Sequence, residues 1–298
     1  YPAMLIEPSA TNLLPYSEDF NNSSWVKSIS GTGVAPVITP NISVSPDGTQ
    51  NASKIVFNSG SGTSSSDWSL LTTSSSVTSV NNIYTHSIYL KGAVGGEKIY
   101  LRGVAGSNYK EITLTTDWVR YETTETAQTA SSLMSLGIRQ GLGSFIDNSS
   151  VTVHIWGAQL EAGSVAGSVA TSYIPTSGSA ATRANDNLSI TGSAFSDFFS
   201  TTEGTFYAEF VRATGSDGVQ RYVLGSQSNS ARFCYIQSSS NTVGSYDGEN
   251  FVGAGNYVAA QLSRYAISYL NSSAIDATSA SLNGASEVTN YHNGNLLS

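Results

Sequence analysis

The sequence has few charged and few reactive side chains. Only 11% of its 298 residues are charged, against roughly 25% in an average soluble protein. A single cysteine excludes a framework of disulfide bonds. That residue, Cys234, stands in the alternating run FCYI (233–236). We therefore predict a buried and unreactive thiol on a strand.

Signatures of catalysis are also missing. The sequence contains no HExxH, G-x-S-x-G or glycine-rich phosphate-loop motif. Of its three histidines, His86 and His154 alternate with apolar residues, so we interpret them as packed strand residues rather than general bases. Hydrolysis of a glycoside needs a pair of carboxylates, whereas the acidic residues here occur singly at turns and strand ends. We predict that this chain is not an enzyme.

Charge and hydropathy argue against two classes of partner. The sequence has thirteen lysines and arginines and twenty-one acidic residues, which gives a formal net charge of −8. There is no basic stripe that a phosphate backbone could contact. No apolar run approaches the roughly 20 residues of a membrane-spanning helix. We predict neither nucleic-acid binding nor membrane insertion.

The residues that replace the missing charge favour strands. The sequence has 28 glycines and abundant Ser, Thr and Asn, and 39% of it is hydrophobic. Ser, Thr and Asn compete with helical backbone bonds but suit strand surfaces and turns. Short alternating runs are separated by turn signals such as Pro46-Asp47-Gly48 and Gly95-Gly96. This spacing predicts an all-β chain of two antiparallel sandwich, jelly-roll or lectin-like domains.

One stretch, residues 151–186, organises the prediction of domains. It begins as an alternating strand, continues through WGAQLE (156–161) and SYIPT (172–176), and ends at TRAND (182–186). A new strand pattern with a different composition follows. We therefore predict a first domain over 1–183 and a second over 184–298.

These motifs carry a resemblance. Together with the opening LIEPSATNLLPYSEDF (5–20), they resemble a jelly-roll, carbohydrate-binding-like module of bacteriophage tail-fibre, tail-spike and head-spike proteins. In that module the opening is a lead-in strand that lies beside the WGAQLE strand. The later LSITG (188–192) and EGTFYAEF (203–210) resemble a concanavalin A-like (laminin G-like) sandwich.

The resemblance implies a function. It implies a virion appendage protein, on the tail or head of a phage particle, that mediates adsorption by binding bacterial surface polysaccharide. Its partners would include other virion proteins and further copies of itself, most simply as a homotrimer. The alternative is a head fibre or capsid decoration protein with a purely structural role. A third class, a secreted glycan hydrolase, requires a catalytic domain outside this sequence.

Aromatic side chains are the best candidates for ligand contact, because an aromatic face offers apolar area at little entropic cost. Trp68 follows a serine-rich loop, Tyr109 follows Gly-Ser-Asn, and Tyr246 precedes a DGEN turn. We predict these three as exposed ligand-binding residues. Trp118 and Trp156 lie inside alternating strands, and we interpret them as packing residues.

The sequence suggests one cation site and one open edge. In the DGEN turn, Asp247 and Glu249 supply the oxygen ligands that Ca²⁺ prefers, although an ordinary polar turn explains them better; no other cofactor is predicted.

The resemblance gives the second sandwich further strands beyond the end of this sequence. We therefore expect that sandwich to be incomplete, with an open edge beside Leu188–Thr191 or a neighbouring subunit that covers it.

Overall fold

The computed structural model describes residues 4–73, 79–104, 109–128, 134–141, 150–163, 169–212, 221–225, 232–237, 240–246, 251–271 and 276–292. Its paired strands are all antiparallel in this part of the chain, which confirms the predicted all-β class. No helix among these residues is long and apolar enough to cross a membrane. The chain divides into two compact units, Tyr1–Asn187 and Leu188–Ser298.

In its described residues, the first unit contains twelve strands in two large sheets and one small one. In chain order they are β1 (Ala10–Asn12), β2 (Trp25–Ser30), β3 (Val34–Ser43), β4 (Ala52–Asn58), β5 (Trp68–Thr73), β6 (Ile83–Gly92), β7 (Lys98–Arg102), β8 (Tyr109–Thr113), β9 (Val119–Thr126), β10 (Ser135–Arg139), β11 (Ser150–Gly163) and β12 (Ala181–Arg183). Sheet I has the order β2-β5-β10-β7-β8, and sheet II has the order β3-β4-β11-β6-β9. The lead-in strand β1 pairs with β12.

The core of this unit lies between sheets I and II. Alternation in β11 places Val151, Val153 and Ile155 on one buried face, as the sequence pattern predicts. They pack with apolar side chains from both sheets, including Ile55, Phe57, Leu71, Ile88, Leu90, Ile99, Leu101, Leu136 and Ile138. Fully burying one such side chain contributes about 1.5–3 kcal/mol. The sandwich is therefore stabilised from both sheets at once.

A bulge in β11 sets the direction of the motif WGAQLE. The pairing of β11 with β6 shifts register between Trp156 and Gln159, and Gly157 has φ +62°, a conformation that favours glycine. Because the bulge adds a residue, Trp156, Gln159 and Glu161 all point to the outer face of sheet II, while Leu160 enters the core. The motif is thus built to be covered from outside.

The described part of the second unit contains a short helix and eight strands in two four-stranded sheets. The elements are α1 (Ser193–Ser196), β13 (Glu203–Val211), β14 (Arg221–Leu224), β15 (Arg232–Ile236), β16 (Thr242–Tyr246), β17 (Phe251–Asn256), β18 (Leu262–Asn271), β19 (Asp276–Leu282) and β20 (Val288–His292). The sheet orders are β13-β18-β19-β20 and β14-β15-β16-β17. Cys234 lies in the core between them, and burial raises the pKa of its thiol to about 12. This confirms the predicted buried thiol.

Strand β13 is an edge. Within the described residues it pairs only with β18. Its inward-facing Phe206 and Phe210 are only partly buried. Leu188 and Ile190, which precede it, are 66% and 59% exposed. An exposed edge with apolar neighbours is a liability for a free domain.

Candidate functional site

The outer face of sheet I carries a cluster of aromatic and guanidinium groups. Continuous pairing sets Trp68 opposite Arg139, Gly137 opposite Tyr100, and Arg102 opposite Tyr109. These side chains point away from the core, because the residues that alternate with them, such as Leu71, Leu101 and Leu136, are core residues. The name platform is used below for Trp68, Tyr100, Arg102, Tyr109 and Arg139.

The guanidinium of Arg139 joins the two aromatic rings at the surface of the platform. Its central carbon lies 5.0 Å from the ring centroid of Trp68 and 5.8 Å from that of Tyr109. Its Nη1 donates to the Tyr109 hydroxyl at 2.9 Å. The Trp68 indole Nε1 donates to Ser28 Oγ at 3.3 Å. Planar groups are thus held side by side across three strands, and each ring remains only half-buried.

Tyr100 forms the floor of the platform. It is fully buried although it lies on the outer face, and it packs with Leu70 beneath Trp68 and Tyr109. The Tyr109 ring meets the Tyr100 ring edge-on, with centroids 4.9 Å apart. Burial raises the pKa of Tyr100 well above its ordinary value, so its hydroxyl stays protonated. At Gly137, φ is +145° and a Cβ would lie 2.3 Å from Ser69 O. No larger residue fits there.

A tight loop places Trp68 and Arg139. Asp67 Oδ1 accepts hydrogen bonds from Thr32 N at 2.7 Å and Thr32 Oγ1 at 2.9 Å, and its Oδ2 accepts from Ser64 N at 2.9 Å. These bonds, led by that from the Thr32 backbone, lower the pKa of Asp67. In the same loop, Ser65 O accepts from Arg139 Nε at 2.5 Å. The serine-rich segment is therefore a support for the platform.

The charge of the platform face is mostly positive. Among the strand residues that point outward from sheet I, Lys98, Arg102 and Arg139 are cationic and Glu111 is the one carboxylate. Lys98 Nζ and Glu111 Oε1 form an ion pair at 2.9 Å. Within the described residues, no carboxylate forms an ion pair with Arg102 or Arg139. The Arg102 guanidinium lies 5.7 Å from the Tyr109 ring centroid.

The outer face of sheet II is covered instead. The segment after β11 crosses it, and Tyr173 packs on Trp156 with ring centroids 4.5 Å apart. The Tyr173 hydroxyl lies 2.6 Å from Ser17 Oγ and donates to Glu18 Oε1 at 2.8 Å. Burial raises the pKa of Tyr173. Only 4% of Trp156 is exposed, so this tryptophan cannot meet a ligand.

Asn12 and Gln159 fasten that covering segment. Asn12 Nδ2 donates to Ala158 O at 3.1 Å and Ile174 O at 2.9 Å, while its Oδ1 accepts from Leu14 N and Leu160 N. Gln159 Oε1 accepts from Ile174 N at 2.7 Å. The motifs that carry the family resemblance thus have a structural role.

Glu161 fixes the start of the covering segment. Its Oε1 accepts from Thr171 Oγ1 at 2.6 Å, and its Oε2 accepts from Thr171 N at 3.0 Å. The carboxylate is buried, with both oxygens bonded. The glutamate of WGAQLE is thus a structural residue.

The structure brings two of the three predicted ligand residues together and assigns the third to the other unit. Trp68 and Tyr109 are both in the platform. Tyr246 lies in the second unit, at the end of β16 and opposite Phe251. Sequence reasoning missed Arg102 and Arg139. Their proximity to the rings depends on which strands are neighbours in the sheet, and local alternation does not predict the order of strands.

The second unit has its own row of rings on the outer face of its β14–β17 sheet. The centroids of Tyr222 and Tyr235 are 6.3 Å apart, and those of Tyr235 and Phe251 are 5.4 Å apart. A Cβ on Gly244 would lie 2.4 Å from the Phe251 ring. Only 3% of the central Tyr235 is exposed. Tyr222, at one end of the row, is 51% exposed, so this face also presents an aromatic ring to solvent.

The remaining candidate groups from the sequence are the Asp247 and Glu249 cation site and the two strand histidines. Asp247 and Glu249 lie outside the described residues. Among the residues that are described, no three His, Cys, Asp or Glu side chains form a group that could hold a metal ion. His86 is buried, and burial lowers its pKa to about 3. His154 Nδ1 lies 3.0 Å from Ser43 Oγ, and burial lowers its pKa as well.

Comparison with known proteins gives structural similarity alone. No protein-family model and no curated protein matches the sequence. Similar solved structures include the CBM22-1 xylan-binding domain of Paenibacillus barcinonensis Xyn10C, with 13% identity, coverage of 55% of this chain and 100% of that one, and a TM-score of 0.32. A family 29 carbohydrate-binding module has 8% identity, covers 52% and 89% of the two chains, and has a TM-score of 0.31.

A third similar structure contains a catalytic module as well. It is the Clostridium thermocellum xylanase 10B with its CBM22-1 and GH10 modules, with 10% identity and a TM-score of 0.31. The match covers 55% of this chain and 30% of that one. The similar structures are thus carbohydrate-binding β-sandwich modules or contain one. At these scores, their ligands carry no information about this chain.

Proposed function

We propose that this chain binds glycans through the platform on sheet I. The observation that carries the proposal is the arrangement of Trp68, Arg139 and Tyr109, which holds half-buried planar groups side by side on an otherwise polar sheet. Sugar rings present apolar C–H faces, which stack on aromatic side chains, and hydroxyls, which accept hydrogen bonds from arginine. The rings are already fixed by Tyr100, so little entropy is lost on binding.

The biological setting that we propose is adsorption of a tailed phage. In this setting the chain is part of a tail fibre or spike on the virion surface. It forms a homotrimer, associates with other virion proteins, and binds bacterial surface polysaccharide. Support comes from the motifs around WGAQLE and SYIPT and their resemblance to phage modules. Several weak sites in one oligomer would raise avidity by roughly 10²–10⁴. Electron microscopy of the intact particle tests the location, and light scattering tests the trimer.

The binding proposal is tested with a matched pair of tryptophan variants. Trp68 and Trp118 are both half-buried, each lies near a cation, and each indole donates one hydrogen bond. Trp118, however, lies in the segment that precedes β9, the last strand of sheet II. On a glycan array and on host cells, Trp68→Ala should lose binding about tenfold or more, and Trp118→Ala should retain it. Equal behaviour of the two variants, or no binding by the unaltered chain, favours the purely structural alternative.

A further inference from the structure

The charges on sheet I narrow the kind of glycan, if the platform is the binding site proposed above. The strand residues that point outward from sheet I include three cationic side chains and one carboxylate, in a protein whose formal net charge is −8. Since acidic residues outnumber basic ones in the whole sequence, this local excess of positive charge opposes the general trend. Lys98 and Glu111 neutralise each other at 2.9 Å. The remaining positive charge belongs to Arg102 and Arg139.

Both of these guanidinium groups lie against one ring. Their central carbons are 5.7 and 5.8 Å from the Tyr109 centroid. Two like charges near a single ring repel each other, and an anion near both would remove that repulsion. A structural arginine usually has a carboxylate partner, and neither one has such a partner among the described residues.

The hydrogen-bond capacity of the two arginines is also incompletely used. Arg102 Nε is buried and has no hydrogen-bond partner in the described part of the chain. Arg139 donates from Nε to Ser65 O and from Nη1 to the Tyr109 hydroxyl. Its Nη2 donates no hydrogen bond to another described residue. A guanidinium carries five N–H donors in a planar fork that matches the two oxygens of a carboxylate, sulfate or phosphate.

From these observations we infer that the platform selects anionic polysaccharides, with sugar rings on Trp68 and Tyr109 and an acidic substituent at Arg102 and Arg139. The shared chemistry is an oxyanion on a sugar ring: a uronate carboxylate, a sulfate ester or a phosphate. Because the platform is partly exposed, binding of the anion is screened by salt. Affinity should therefore fall as ionic strength rises, more steeply than for a neutral glycan.

The test uses the whole chain and immobilised polysaccharides in pairs that differ only in charge. One pair is polygalacturonate and its methyl ester; others are sulfated and desulfated, or phosphorylated and dephosphorylated, forms of one polymer. The pairs also distinguish carboxylate, sulfate and phosphate as the source of the oxyanion. The variants are Arg102→Gln, which removes the charge, and Arg102→Lys, which keeps it. Lys54→Gln is the control, since it removes one positive charge from β4 in sheet II.

The expected result is binding of at least one charged member and at least tenfold weaker binding of its neutral partner. Arg102→Gln should lose about tenfold in affinity for the charged member, the usual size of a hydrogen bond to a charged group. Arg102→Lys should recover part of the loss, and Lys54→Gln should change little. Equal binding of both members, or no effect of Arg102→Gln, overturns this inference while a dependence on Trp68 still supports glycan binding. Binding to no member overturns both proposals.

Discussion

The two outer faces of the first unit use the same residue types for different purposes. On sheet II, Trp156 packs against Tyr173 and Tyr89, and the Arg120 guanidinium lies 5.5 Å from the Tyr89 ring centroid. On sheet I, Trp68 and Tyr109 flank the guanidinium of Arg139. Each face therefore has tryptophan, tyrosine and arginine in contact, and composition alone does not distinguish them.

What distinguishes the faces is how far their aromatic groups are covered. Arg120 donates from Nη1 to Thr171 O at 2.7 Å and from Nη2 to Ser87 Oγ at 2.9 Å, and a segment of the same chain covers Trp156. On sheet I, Trp68 and Tyr109 are only half-buried. A buried Nε without a partner among the described residues occurs on both faces, in Arg102 and in Arg120. A face whose groups are already covered and bonded contributes to stability. A face whose rings remain partly exposed is available to a ligand.

The largest expected effect comes from opening the covered face. Asn12→Ala removes four hydrogen bonds that join β1, β11 and the covering segment, and it leaves buried backbone groups unpaired. Each such loss costs about 1–3 kcal/mol and the losses are not additive, so we expect about 4–6 kcal/mol less stability in total. Urea unfolding should show this change, with exposed Asn185→Ala as the control. A change below about 1 kcal/mol would contradict a structural role for the motif.

The next effect separates the two tryptophans. Trp156→Ala leaves a cavity under Tyr173 and should destabilise the unit by about 3–5 kcal/mol, while the molecules that remain folded still bind glycan. Trp68→Ala should lose binding and cost less stability, because Trp68 is only half-buried. Thermal unfolding and affinity measured on the same samples test this double dissociation. If Trp156→Ala lost affinity per folded molecule, the comparison of the two faces would fail.

A third prediction concerns a buried group of sheet II that has no partner. Neither ring nitrogen of His86 has a hydrogen-bond partner among the described residues, and burial lowers its pKa to about 3. In the unfolded chain this histidine is protonated below about pH 6.5. In the folded chain it stays neutral until the pH approaches about 3. Stability is thus complete above pH 6.5 and falls below it, by about 1.4 kcal/mol per pH unit.

The measurement is urea unfolding at pH 7 and pH 5. The unaltered chain should be about 2 kcal/mol less stable at pH 5 through His86 alone. His86→Leu should remove most of that difference, because leucine does not titrate. His154→Gln is the comparison, because His154 is only half-buried and should account for a smaller part of the pH dependence. A pH dependence that stays the same in His86→Leu would show that another group is responsible.

Local sequence patterns were enough to predict the all-β class and part of the core. Alternation in β11 predicts the buried Val151, Val153 and Ile155, and the run around Cys234 predicts a buried thiol. Patterns also predicted the packed Trp156, but they did not separate Trp68 from Trp118, since both are half-buried. They could not identify Arg139 as the neighbour of Trp68, since residues 71 positions apart meet only through the pairing of β5 with β10. Pairing between distant strands is a property of the whole sheet.

The smallest predicted effect tests the open face from the opposite direction. Glu111 is the one carboxylate among the strand residues that point outward from sheet I, and its ion pair with Lys98 is partly exposed. Pairs of this kind contribute about 0–1 kcal/mol to stability, so Glu111→Gln should leave the melting temperature nearly unchanged. By making the platform more positive, it should raise affinity for an anionic polysaccharide a few-fold at low salt and less at high salt. On the covered face, Glu161→Gln should instead lose stability, because both carboxylate oxygens bond Thr171. If Glu111→Gln weakened binding, the carboxylate would be a ligand contact and the selection of anions by this face would be wrong.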